Sequence, residues 1–376
     1  MGSRQRFAFV DGLRGIAACA VVLFHVSLFT LFESPAGASI PAFVQTAVGW
    51  GCYGVCVFFV ISGFVIFYAI GNQQVGGRFA LRFIGRRSVR LDPPYWVAIV
   101  VTLGLEWFLA SRGRGEFEAP TARVVAAHLV YAQGVLDMQH LAVGIWTLCI
   151  EVQFYLFALA AAWMMQVRRA RSTGAAIELL LCFVASLAVF TSIDHGPNPH
   201  ALLSPDRSLL PWLCLFGLGV LPWLMLERKV SAWPMVVLLG CVAVRLVASF
   251  EKELLVGALT GVVLVAAIRR DALGRWLAAA PFQFFGRISY SLYLIHFPVT
   301  SLTKWAVHEV MAESARAGWV TYVVSLAMSI GVATGMHHAL EGPCTRFARR
   351  LFAMSAEHVL GRPGVFDTPG ADARGA

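Results

Sequence analysis

A chain of 376 residues that is 58% hydrophobic and only 14% charged, with a mean hydropathy of +0.71, is too apolar for a soluble domain, which sits nearer ~45–50% apolar and ~25% charged. These values exclude a globular protein on a single anchor and point to a polytopic membrane protein. The net charge of +9 does not indicate nucleic acid, because the positive residues fall in short clusters between apolar runs, as in cytoplasmic loops.

Apolar runs occur near 9–32, 52–70, 94–111, 144–166, 176–193, 208–226, 232–249, 254–268, 284–307 and 318–340. A helix of ~20 residues crosses a bilayer, so the pattern predicts an all-α polytopic bundle with about ten transmembrane helices. The first run is interrupted by Asp11 and Arg14 and is followed by no small-x-small site, so it reads as a retained span rather than a cleaved leader. Lys and Arg set the orientation. Arg4 and Arg6 put the N-terminus in the cytoplasm, and the segment 33–51, with no Lys or Arg, lies outside. Arg78, Arg82, Arg86, Arg87 and Arg90 put 71–93 inside. Arg168, Arg169 and Arg171 follow inside, as do Arg228 with Lys229, then Arg269, Arg270 and Arg275, then Arg346, Arg349 and Arg350. Both termini are therefore expected in the cytoplasm.

The segment 121–136 is apolar enough to suggest another span, but it is short for one, and counting it reverses every later loop. It reads as an interfacial or re-entrant piece of the outer loop 112–143, which leaves Arg112, Arg114 and Arg123 outside. The membrane domain is expected over 1–345. Residues 346–376 read as a cytoplasmic tail, turning after about 352 to the Gly, Pro, Ala and scattered charge of disorder. There is no internal repeat. Most of the 8 cysteines lie in spans, where they act as small apolar residues. Cys52 and Cys56 have no second ligand pair, so no metal is expected.

Polar residues inside spans need a reason, since Arg costs ~2.5–3.5 kcal/mol there on insertion scales. In the first span Arg14 and His25 lie roughly eleven residues apart, about three turns, so they share one face. Arg14 falls near the cytoplasm and His25 toward the outside. The fourth span carries Trp146-Thr147-Leu148-Cys149-Ile150-Glu151. Glu151 falls at about the depth of His25, where a pair would orient the imidazole as a base. The alternative is a structural Glu151 bonded to Tyr or backbone. Arg87 and Arg90, spaced i and i+3 on one face, suit phosphate, and Arg14 lies at the same membrane face. Without that convergence they read as an ordinary cytoplasmic anchor. Pro93 and Pro94 suit the start of the next helix. Ser62 and Gly63 allow close helix approach in the second span. Ser289, Tyr293 and His296 lie on the ninth span, which Pro298 bends. His337, His338 and Glu341 end the last span and read as interfacial.

Several of these stretches resemble the membrane acyltransferase-3 family: Phe9-Val10-Asp11-Gly12-Leu13-Arg14-Gly15 with His25 beyond it, Phe58-Phe59-Val60-Ile61-Ser62-Gly63-Phe64, Arg87-x-x-Arg90-x-x-Pro93, Trp146-x-Leu148-x-x-Glu151-x-x-Phe154-Tyr155, and Gly286-Arg287-Ile288-Ser289-Tyr290-Ser291-Leu292-Tyr293-x-x-His296. None is specific alone. Together, in family order over residues 7 to about 345, they are. The resemblance implies a bundle of about ten helices that moves an acyl group, usually acetyl from cytoplasmic acetyl-CoA, to a hydroxyl at the outer face. The acceptor is commonly a sugar of a surface or exported glycan on a bacterial inner membrane. It implies that His25 is catalytic, that Arg14 supports it or the donor, and that Arg87 and Arg90 hold the CoA. Thr147 departs from the family's usual Ser. Some members carry a hydrolase-like domain that is not seen here, which leaves open whether a separate periplasmic partner completes the transfer.

In this reading His25 takes the acceptor's proton as general base or is acylated first, with Glu151 as its partner and Ser62 as a candidate oxyanion donor. Asp11, Tyr293 and His296 are further candidates. The rival is a proton-coupled transporter, which also uses intramembrane His, Glu and Arg, but no repeated halves or matched broken helices accompany them. A structural scaffold leaves Arg14, His25 and Glu151 without a use.

Overall fold

The first apolar run folds as α1, Ala8–Ser27, extended by a π-helical turn over Leu28–Phe32. In the computed structural model, which describes residues 7–71, 73–167, 172–190, 208–227 and 230–357, every regular element among the described residues is helical. After α1 come α2 (Ala42–Gly49), α3 (Gly54–Ile70), α4 (Gly77–Ser111), α5 (Ala122–Leu129), α6 (Trp146–Val167) and α7 (Ser172–Phe190). They are followed by α8 (Leu209–Glu227), α9 (Trp233–Ala248), α10 (Lys252–Arg269), α11 (Ala280–Val310), α12 (Ala315–Met336) and α13 (Gly342–Glu357). Each predicted run is met by a helix. Among the described residues 6 helical stretches are long and apolar enough to cross a bilayer, and shorter apolar helices accompany them. The protein is a polytopic membrane bundle. The clusters Arg4/Arg6, Arg168/Arg169/Arg171 and Arg228/Lys229, and residues 358–376 of the expected tail, lie outside the described residues.

Two apolar clusters organise the bundle. One joins α3, α6, α7, α8 and α10 around Phe59, Phe67, Phe154, Phe216 and Trp223. The other joins α1, α4, α6, α11 and α12 around Val22, Tyr95, Ile99, Leu148 and Ile295. Glycine sets the close helix crossings. A Cβ on Gly15 of α1 would stand 2.6 Å from the Gly286 nitrogen of α11, and one on Gly286 would strike the Asp11 carbonyl. Only hydrogen fits on both sides, so α1 and α11 meet backbone to backbone, as small residues permit in membranes. Gly63 does the same between α3 and Phe216 of α8. The close approach expected of the Ser62-Gly63 pair thus belongs to Gly63.

Three expectations are corrected. Pro93 and Pro94 do not start a helix: both lie inside α4, which runs unbroken from Gly77 to Ser111. Their missing N–H groups free the carbonyls of residues 89 and 90, and Tyr290 of α11 docks on this stretch of α4 by donating to the adjacent Leu91 carbonyl at 2.9 Å. Arg87 and Arg90 therefore stand on the same helix as the span. Second, the chain beyond 345 is not all tail, since α13 continues to Glu357. Its Ala348 is buried and its Phe352 ring lies beside Gly85 of α4. The apolar residues of its first half that the composition hid as tail recur at helical spacing. Third, the segment 33–51 is not only a loop between spans, because it holds α2.

The ambiguous segment 121–136 does not cross as a helix. Only α5 is helical, ~12 Å long, and the chain then folds back into the bundle. His128 and Gln133 are fully buried. The His128 Nδ1 hydrogen goes to the Val124 carbonyl at 2.9 Å, and its Nε2 accepts from the Leu141 amide at 3.2 Å. Tyr131 donates to Asp92 at 2.9 Å and Gln133 to the Tyr95 hydroxyl at 3.3 Å. These bonds tie the segment to α4 just above the arginines.

Candidate active site

One cavity gathers side chains from α1, α3, α4, α6 and α11. Arg14, Ser62, Arg87, Arg90, Glu151 and Tyr293 are all on its lining. The three arginines that the sequence placed at one membrane face therefore converge in space. Arg87 is oriented by a chain of bonds. Its Nη1 donates to the Tyr155 hydroxyl at 3.1 Å, and its guanidinium lies 4.4 Å from the Tyr155 ring centroid and 5.0 Å from that of Phe83. Such cation–π contacts hold a guanidinium by its face. Tyr155 in turn donates to Glu151 Oε1 at 2.7 Å, and Ser62 donates to the same oxygen at 3.0 Å.

Glu151 therefore serves Arg87 through Tyr155, and among the described residues its carboxylate accepts from Ser62 and Tyr155 rather than from His25. The expected His25–Glu151 pair is not formed. Glu151 and Tyr155 are i and i+4 on one face of α6, and that face looks onto α3 and α4. The Ser62 hydroxyl hydrogen is engaged by Glu151, so the idea that Ser62 stabilises an oxyanion does not survive in this arrangement.

Arg90 has a different anchor. Its Nη2 lies 3.7 Å from Glu341 Oε1. The Glu341 side chain is only 4% exposed, and its Oε2 accepts from Ser291 at 3.0 Å and from His337 Nδ1 at 3.1 Å. Glu341 and His337 are thus not interfacial. The π-helical turn His337–Glu341 after α12 aims the carboxylate inward, while His338 stays exposed. The sequence reading missed Glu341 as a site residue; an acidic residue closing a span was the signal. The Arg90 Nε is buried without a hydrogen-bond partner among the described residues.

His25 does not line this cavity. It sits beside it, its Nδ1 3.2 Å from the Nε2 of His296. Tyr293 forms the wall between. Tyr293 is on the cavity lining, and its ring centroid is 6.1 Å from that of His296. Its hydroxyl donates to the Gly144 carbonyl at 2.9 Å, with Thr147 at 3.1 Å. Gly144 has φ +84, a conformation suited to glycine, and this turn starts α6. Thr147 also donates to the Gly144 carbonyl at 3.0 Å, a bond that serine would make as well. Asp11 does not line the cavity: it lies in the first turn of α1, where its carbonyl meets Gly286.

Residues 7–338 match the family described as "Acyltransferase domain". The chain belongs to this acyltransferase family. It is 27% identical over 374 aligned positions to a protein of Komagataeibacter xylinus named as a membrane-bound transacylase, BcsY, covering 90% of this chain and 86% of that one. It is 26% identical over 331 positions to the peptidoglycan O-acetyltransferase OatA of Listeria monocytogenes, covering 80% of this chain and 50% of the relative. No solved structure matches. For a membrane acyltransferase the geometry is informative: a cation-lined cavity borders a histidine pair, with one tyrosine between them. The transporter reading is set aside by the family match.

Proposed function

We propose that this acyltransferase moves an acetyl group from cytoplasmic acetyl-CoA to a hydroxyl of a cell-surface or exported glycan, or of another small acceptor, at the outer face of a bacterial inner membrane. The convergence of Arg14, Arg87 and Arg90 in one cavity beside His25 is the observation that carries the reading. CoA is a polyanion, and guanidinium groups are the side chains best shaped for phosphate. In this reading Arg87 and Arg90 take the phosphates, the pantetheine arm follows Arg14 along α1, and the thioester arrives at Tyr293 and His25. His25 accepts the proton of the acceptor hydroxyl as that oxygen attacks the thioester carbon, and returns it to the departing thiolate. The names of the two relatives, a transacylase and a peptidoglycan O-acetyltransferase, support transfer to an exported glycan. A separate periplasmic partner that completes delivery is compatible with this scheme.

The test is donor binding. Arg87→Ala and Arg90→Ala should each raise the KM for acetyl-CoA by about tenfold to a hundredfold, the equivalent of ~1.5–3 kcal/mol per charged contact. Arg87→Lys should recover only part, because an ammonium lacks the flat face that lies on Tyr155. Unchanged apparent affinity in both alanine variants would remove the donor-site assignment.

The same reading requires ten crossings with both termini in the cytoplasm. The short α5 and the bonds from Tyr131 and Gln133, beyond it, to α4 support placing 112–143 on the outer side. Reporter fusions after Gly115 and after Met138 should both read as periplasmic. Opposite signals from the two would mean that 121–136 crosses, and the orientation of every later helix would reverse.

A further inference from the structure

Each ring nitrogen of the histidine pair can be given its hydrogen from its neighbours. His296 is 1% exposed, and its Nδ1 lies 2.8 Å from the Tyr293 carbonyl and 3.2 Å from the Leu292 carbonyl. A carbonyl only accepts, so His296 Nδ1 carries the hydrogen and, in the neutral ring, Nε2 carries the lone pair. That Nε2 faces His25 Nδ1 at 3.2 Å, so the hydrogen between the rings belongs to His25. His25 Nε2 is left as the basic nitrogen.

We infer that His296 is a positioning residue: a neutral acceptor that holds His25 in the Nδ1–H tautomer and turns its Nε2 lone pair toward the acceptor hydroxyl. This rests on the reading of His25 as general base. The step balances without any other reactant. The acceptor O–H proton passes to His25 Nε2 while its oxygen bonds the acetyl carbon. The carbon–sulfur bond then breaks, and the proton goes from Nε2 to the thiolate to give free CoA. During the step the imidazolium keeps its Nδ1–H on His296 Nε2, which stabilises the charge without adding an ion to the membrane interior. The backbone supports this role. Gly15 and Gly286 bring α1 and α11 together, and the two rings sit further along the same pair of helices, their centroids 5.2 Å apart.

The test uses full-length protein in membranes of a source strain deleted for the chain, so that the native acceptor is present. The label is [14C]acetyl-CoA, read as base-labile ester. His296→Leu removes the acceptor and should lower kcat about a hundredfold, the scale of general-base effects, with the KM for acetyl-CoA unchanged. His296→Gln restores an acceptor near the Nε2 position and should stay within about tenfold of wild type. A Leu variant at wild-type kcat would overturn the inference. Should that variant fail to accumulate, 15N spectra of histidine-labelled wild-type protein in bilayers decide, with His25 assigned by its loss in His25→Gln. Hydrogen on Nδ1 of both rings supports the inference, and hydrogen on His25 Nε2 overturns it. Activity retained in His25→Gln would instead remove the general-base reading, a failure separate from the tautomer result.

Discussion

His25→Gln is expected to be present in the membrane at normal levels and to transfer acyl groups ~10²–10⁴-fold more slowly than wild type, the usual loss for a general base. Glutamine keeps a polar group of similar reach but cannot take up a proton. The half-buried His25 packs between Phe24, Phe297 and His296, with ring centroids at 4.9, 4.5 and 5.2 Å. Its surroundings are mostly apolar, and a neutral amide is tolerated there. The effect should fall on kcat and leave the KM for acetyl-CoA in place, because the arginines that would hold the donor lie in the adjoining cavity. The measurement is label incorporation from [14C]acetyl-CoA together with an immunoblot of the same membranes. Near wild-type turnover at normal protein level would make His25 structural and end the proposed mechanism.

The spans were legible because a bilayer asks for long apolar helices and little else. Depth was read by counting residues along α1 and α6. What depth does not give is direction around the helix axis. Glu151 and His25 were matched by depth, yet Glu151 faces α3 and α4 while His25 faces α11. The direction of His25 follows from Gly15 against Gly286, and two glycines in separate motifs do not announce that they touch. The unbroken α4 was illegible for a related reason. Pro93 and Pro94 locally favour a helix start, and the α11 residues that pack on α4 beside them, Tyr290 among them, come from far along the chain. Arg14, Arg87 and Arg90 were found because positive charge at one membrane face is visible in sequence. Tyr155 was visible only as the Glu151 neighbour at i+4, and its role as the link to Arg87 needed the fold.

Glu341→Ala is expected to cost the most stability of any single change at this site. The Glu341 carboxylate is where α4, α11 and α12 are tied together, through Arg90, Ser291 and His337. Its removal orphans the buried Ser291 hydroxyl and releases Arg90. Leaving a buried group unsatisfied costs ~1–3 kcal/mol, and breaking a buried ion pair costs ~3–5 kcal/mol. The Arg90 side chain is 38% exposed and the pair is 3.7 Å apart, so the ionic part is discounted for screening and the hydrogen bonds dominate. Thermal unfolding in detergent, followed by loss of the monodisperse peak, should therefore move down strongly in Glu341→Ala and only slightly in Glu341→Gln, which can still accept from Ser291. A cycle with Arg90→Ala separates the two contributions. If Arg90 acts through Glu341, the double variant will be less destabilised than the sum of the singles, since residues in one network are not additive. Wild-type thermal stability in Glu341→Ala would mean that the buried carboxylate does not hold Arg90 in place, and the positioning of Arg90 in the cavity would need another source.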